Sequence, residues 1–104
     1  MEIPPQRDHR ITLEQALAYT SRFRAAFPEA IKANLFWNSG GVSQLMAQKD
    51  CMGVRIYNGL DEKNVVIPVI VAVDGAGNDL TAGIILEEGL PCPPHCQAKS
   101  PLVG

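Results

Sequence analysis

Nine consecutive residues, Val65-Val66-Ile67-Pro68-Val69-Ile70-Val71-Ala72-Val73, carry no charge, and all but one are aliphatic. Side chains branched at Cβ crowd a helix and suit a pleated strand, and a proline inside a helix would remove a hydrogen bond and clash with the preceding turn. The run is too short for a membrane helix, which needs about 20 apolar residues. It therefore reads as the central strand of a sheet, with Pro68 at a bulge or where its missing N–H breaks no ladder bond. Val65, Ile67, Val69, Val71 and Val73 alternate with Val66, Ile70 and Ala72, so both faces of that strand are apolar and both need cover.

The segments around it supply candidate partners. From Cys51, Met52, Val54 and Ile56 alternate with Gly53, Arg55 and Tyr57, which is a strand with one apolar face. Asn58-Gly59 and Asp61-Glu62-Lys63-Asn64 form the loop into the central run, and Asp74-Gly75-Ala76-Gly77-Asn78-Asp79 forms the turn out of it, into a weaker third strand at Leu80 to Leu86. Thr12-Leu13-Glu14-Gln15 is a capping box, and Leu13, Ala16, Leu17, Thr20, Phe23 and Phe27 recur at helical steps, predicting a helix over 12–27 that stops before Pro28. Residues 28–38 fit neither period and read as a turn or short helix. A second short helix falls at about 40–48, with Val42, Leu45 and Met46 as its stripe. Four of the eight prolines lie in the last fourteen residues, which predicts an extended tail over 91–104, with 97–104 mobile and dispensable. The fold class is α+β: two N-terminal helices packed on one face of a three-stranded antiparallel meander, then a Pro-rich C-terminal tail. One domain spans 1–104, its ordered core at about 12–90.

Charge excludes some functions. Residues 1–37 are net +1 and residues 38–104 net −3, so neither half presents a field that would attract phosphates, and no nucleic-acid partner is expected. The start Met1-Glu2-Ile3-Pro4-Pro5 lacks a basic-then-apolar leader and no apolar run is long enough to span a bilayer, so the expectation is a cytoplasmic protein with no membrane partner.

Three groups of residues could carry chemistry. Arg55 and Tyr57 share one strand face, and Asp79 comes near them in a folded meander; together they could line a pocket for an anionic ligand, or Arg55 could simply pair with an acidic neighbour. Cys92-Pro93-Pro94-His95-Cys96 gathers soft ligands, and Cys92, His95, Cys96 and Cys51 could make up a zinc set. Fully extended, the segment would hold its cysteines about 12 Å apart, so metal binding requires a turn at Pro94-His95. The alternatives are a disulfide, rare in a cytoplasmic protein, or an ordinary tail with free thiols. Cys51 alone reads as a small buried hydrophobe rather than a nucleophile, and Trp37 beside Leu35 and Phe36 reads as core. No catalytic residue is assigned, since both histidines lie near the chain ends. Gly75-Ala76-Gly77 precedes a strand, where a phosphate loop must open a helix.

The Cys51-Met52-Gly53-Val54-Arg55-Ile56-Tyr57 strand, the Asp74 to Asp79 turn, and Glu87-Glu88-Gly89 before Cys92-Pro93-Pro94-His95-Cys96 resemble a family of short bacterial proteins of unknown function. Its members pair an Arg-Ile-Tyr strand with a terminal Cys-Pro-Pro-x-Cys. The similarity runs over about residues 12–96 and implies no activity. This chain departs from it at Ser39-Gly40-Gly41, where typical members carry a longer, charged second helix.

Two function classes follow. A three-stranded sheet with two short helices has little depth for a substrate, which favours a non-catalytic interaction module that self-associates as a homodimer or larger oligomer and takes an unknown protein or small-molecule partner. No cofactor is expected. The alternative is a small anionic-ligand or zinc-binding protein, enzymatic or not, using Arg55 and Tyr57 or the Cys92–Cys96 segment.

Overall fold

A computed structural model describes residues 3–104. The protein is α+β and contains a three-stranded antiparallel sheet. The chain forms two compact units, one of Leu35–Leu90 with Ile3 and Pro4, the other of Pro5–Asn34 with Pro91–Gly104.

In the second unit, helix α1 spans Leu13–Ala26. Its capping box is complete: Gln15 N–H donates to Thr12 Oγ1 at 3.1 Å, and Thr12 N–H donates to Gln15 Oε1 at 2.9 Å. Two donors that a helix start leaves orphaned are thus satisfied. Phe23 and Phe27 meet at 5.2 Å between ring centroids. Residues 28–38 depart from the expected turn or helix, since Ala33–Leu35 form strand β1, which pairs with β5 at Leu90–Cys92. Lys32 N–H donates to the Cys92 carbonyl at 2.7 Å, which leads the chain into that pairing. The tail is not extended either. It turns back after β5, with His95 N–H donating to the Pro91 carbonyl at 2.9 Å, and the Leu102 carbonyl accepts from Arg24 Nη1 at 2.7 Å.

In the first unit, a 3-10 turn at Asn38–Gly40 leads into α2, Val42–Met46, which is shorter than the sequence suggests. Strand β2 covers Gly53–Leu60, β3 Val66–Val73 and β4 Ile85–Leu86, in the order β2-β3-β4. Asn58 and Gly59 belong to β2 rather than to the loop, which is shorter and is held by Asp61: its Oδ1 accepts from Lys63 N–H at 2.8 Å and Val65 N–H at 2.9 Å. The third strand is reduced to two residues because 81–83 turn away, although Asp79 still bridges to Val73.

Register accounts for Pro68. Val65 accepts from Asp61 N–H on the β2 side and Ala72 accepts from Leu80 N–H on the other. Successive residues of an antiparallel strand direct their backbone groups to opposite neighbours, so odd residues of β3 bond to β2 and even ones point away. Pro68 is even, and β4 lies only beside Ile70 and Val71, so no ladder bond is lost.

The same register assigns the faces. Val54, Ile56, Asn58 and Leu60 lie opposite Ala72, Ile70, Pro68 and Val66, and Leu86 lies opposite Ile70, all on one face. Helix α2 covers part of it: Leu45 is 1% exposed, Ala72 is buried, and Gly41 closes on Leu86. Gln48 ties the helix to the sheet side, accepting from Ile84 N–H at 2.8 Å. Arg55 and Tyr57 stand on the other face, opposite Val71 and Val69.

Candidate functional site

Arg55, Tyr57 and Asp79 come together. Two residues apart on β2, the first two share a face, and the bridge from Asp79 to Val73 puts Asp79 across β3 from them on that face. Asp74 shapes the turn that delivers it. Its Oδ1 accepts from Ala76 N–H at 3.0 Å and Asn78 N–H at 2.9 Å, and Gly77 supplies the positive φ of 88°. Hydrogen bonds from Asn78 first, then Ala76 and Gly77, hold the Asp74 carboxyl below its usual range against its desolvation.

Arg55 Nη1 donates to Asp79 Oδ1 at 2.5 Å and to the Gly77 carbonyl at 3.0 Å, while the Tyr57 hydroxyl donates to Asp79 Oδ2. The Tyr57 hydrogen bond, joined by that of Arg55 and its charge, outweighs desolvation and lowers the Asp79 pKa. The same bond from Tyr57 to a carboxylate raises the phenol's pKa, because an ionised phenolate would face that anion. Arg55 is shifted upward by its bond to Asp79. The cluster thus holds a neutral phenol and a compensated ion pair lying over Val71, which is buried. Chemically it fastens the 74–79 turn to the sheet. An incoming anion would meet a guanidinium whose charge Asp79 already balances.

The proposed zinc ligands are not assembled. Cys92 and Cys96 are joined in a disulfide with Cα atoms 4.7 Å apart, where the sequence favours free thiols in an extended tail. The Pro91–His95 turn brings them together, and the Cys92–Pro93 and Pro93–Pro94 bonds within the segment are cis. A sulfur in a disulfide is no thiolate and ligates no zinc. Such a bond persists in oxidising surroundings and would be open as two thiols in a reducing cytoplasm. His95 is exposed, and Cys51 lies in the other unit, half-buried, its Sγ 3.5 Å from the Gly53 carbonyl. Among the described residues no three His, Cys, Asp or Glu side chains gather as metal ligands.

The second unit also holds a shallow cleft of about 160 Å³, lined by Tyr19, Thr20, Phe23, Arg24, Lys32 and Leu102, that no sequence motif points to. It forms because the tail returns to α1, a non-local contact that no local pattern announces. Ligand pockets for drug-sized molecules run from about 300 Å³ upward. Trp37 and Leu35, expected in the core, are exposed. Among the described residues no helix is long and apolar enough to cross a membrane. Compared with protein-family models, curated proteins and solved structures, the chain matches none.

Proposed function

We propose that the protein is a small non-catalytic module that works by associating with copies of itself through the β2 side of its sheet. One observation carries this reading: on the face partly covered by α2, Val54, Ile56, Leu60 and Val66 remain 48%, 60%, 64% and 60% exposed. At about 1.5–3 kcal/mol per fully buried aliphatic side chain, leaving these in water forfeits roughly 3–7 kcal/mol, against a typical margin of about 5–15 kcal/mol. Contiguous apolar surface of this kind on a small chain marks an interface. The rival to self-association is cover from within the chain, by the Leu35-Phe36-Trp37 segment or the Pro-rich tail; in that segment Leu35 and Trp37 are themselves exposed. The Arg55–Tyr57–Asp79 cluster supports the same reading from the other face, since its polar groups satisfy one another and leave no base or nucleophile free. Light scattering at micromolar concentration tests it: a dimer mass or larger is expected, and a monomer mass would overturn it.

A further inference from the structure

Strand β2 is eight residues long and lies at the edge of its sheet. Because odd residues of β3 bond to β2 and the register pairs odd with odd, Gly53, Arg55, Tyr57 and Gly59 spend their backbone groups on β3. Val54, Ile56, Asn58 and Leu60 therefore turn their N–H and C=O groups outward, and no backbone or side-chain hydrogen bond reaches them among the described residues. Natural edges of this length are usually guarded by lysine, proline, a bulge or an inward-pointing charge. This one has none of the first two, its pairing with β3 is unbroken, and its single charge, Arg55, is bound to Asp79.

We propose that a second copy of the chain adds its own β2 to this edge, antiparallel about a two-fold axis through Tyr57, making one six-stranded sheet. The proposal rests on the self-association reading and names its contact. A two-fold axis pairs residues whose numbers have a constant sum, and outward groups must meet outward groups. In the register centred on Tyr57 all four outward residues are used: Val54 meets Leu60 of the partner subunit, and Ile56 meets Asn58 of the partner subunit. Arg55 then falls opposite Gly59 of the partner subunit, so no like charges face each other. Val54 and Leu60, 48% and 64% exposed in one protomer, become cross-strand neighbours and so cover part of each other on the apolar face. The symmetry makes the contact isologous and closed, which limits the assembly to a dimer at this edge.

The test uses the full chain. Ile56→Pro removes an N–H that points away from β3, and Ile56→Asp places a charge at a side chain already exposed. Both are expected to weaken dimerisation at least tenfold by sedimentation equilibrium while the far-ultraviolet circular dichroism stays as in wild type. In a Cys51→Ser background, Tyr57→Cys sits at a non-hydrogen-bonded pair on the axis, where Cα atoms lie about 4.5 Å apart, within disulfide reach. It should give a covalent dimer under mild oxidation. Gly53→Cys, about 27 Å from its own copy at ~3.4 Å per residue, should not. A monomeric wild type would sink both this contact and self-association. A dimer that survives both Ile56 variants, with no cross-link at Tyr57→Cys, would refute the edge contact and leave self-association standing.

Discussion

Gly41 joins the 3-10 turn to α2 at φ 129°, and a Cβ built there would lie 2.5 Å from Leu86 Cδ2. Gly41→Ala therefore meets two separate penalties. A side chain forced into so sparsely populated a backbone region costs about 1–3 kcal/mol, and overpacking against Leu86 adds roughly 1–3 kcal/mol. The expected loss is about 2–6 kcal/mol, a large share of the stability of a small chain. The neighbouring Gly40 is the control, because a Cβ there would sit 3.8 Å from Trp37 Cβ, ordinary van der Waals contact. Urea melts followed by far-ultraviolet circular dichroism measure both variants. Adding Leu86→Ala to each separates the penalties: coupling with Gly41→Ala should recover the packing part and leave the backbone part. If Gly41→Ala melts within about 0.5 kcal/mol of Gly40→Ala, α2 does not approach the sheet through this glycine and the reasoning fails.

Two more outcomes follow from local contacts. Thr12→Ala removes the side-chain half of the capping box and should cost about 1 kcal/mol of stability, with a loss of helical signal; an unchanged melt would show that α1 does not depend on its cap. The hydrogen bond from Tyr57, with that from Arg55, holds the Asp79 carboxyl below its ordinary pKa, so its contribution is present above the ordinary value and fades as pH falls through the lower folded value. Asp79→Asn should flatten the acid limb of a stability-against-pH curve and bring the Tyr57 phenol back toward its ordinary pKa in an ultraviolet titration; a Tyr57 titration unmoved by the substitution would disprove the hydrogen bond's role.

What could be read in the sequence was what is local. The Thr12–Gln15 box announces a helix start because both partners lie within one turn, and the period-two pattern of Met52 to Tyr57 places Arg55 and Tyr57 on one face wherever the strand sits. Asp79 was within reach of the argument because one turn, itself shaped by Asp74, delivers it. Strand β1 was not, since three residues leave no periodicity and their partner Leu90–Cys92 stands far along the chain. The Cys92–Cys96 bond stood only as the less favoured alternative to free thiols for a related reason: an extended proline-rich segment and a tight turn have the same composition. Exposure of Trp37 and Leu35 was equally out of reach, because apolar character gives the gain on burial but not whether any neighbour arrives to provide it.

The pairing of β1 with β5 has a consequence for the order of assembly. It joins residues 33–35 to 90–92, so the chain leaves the Pro5–Asn34 segment and returns to it beside its own point of departure. Tying together the ends of so long a flexible span costs roughly 3.5 kcal/mol from length alone. If residues 36–89 have already folded, the slack is taken up and that entropy has been spent on their own contacts. During synthesis from the N-terminus, α1 emerges early, while the strand that completes its unit is made only after the whole β2-β3-β4 sheet. The residues of the β2-β3-β4 sheet are thus all made before the strand that completes the Pro5–Asn34 unit, so any contacts they form early shorten the loop that the β1–β5 pairing must close.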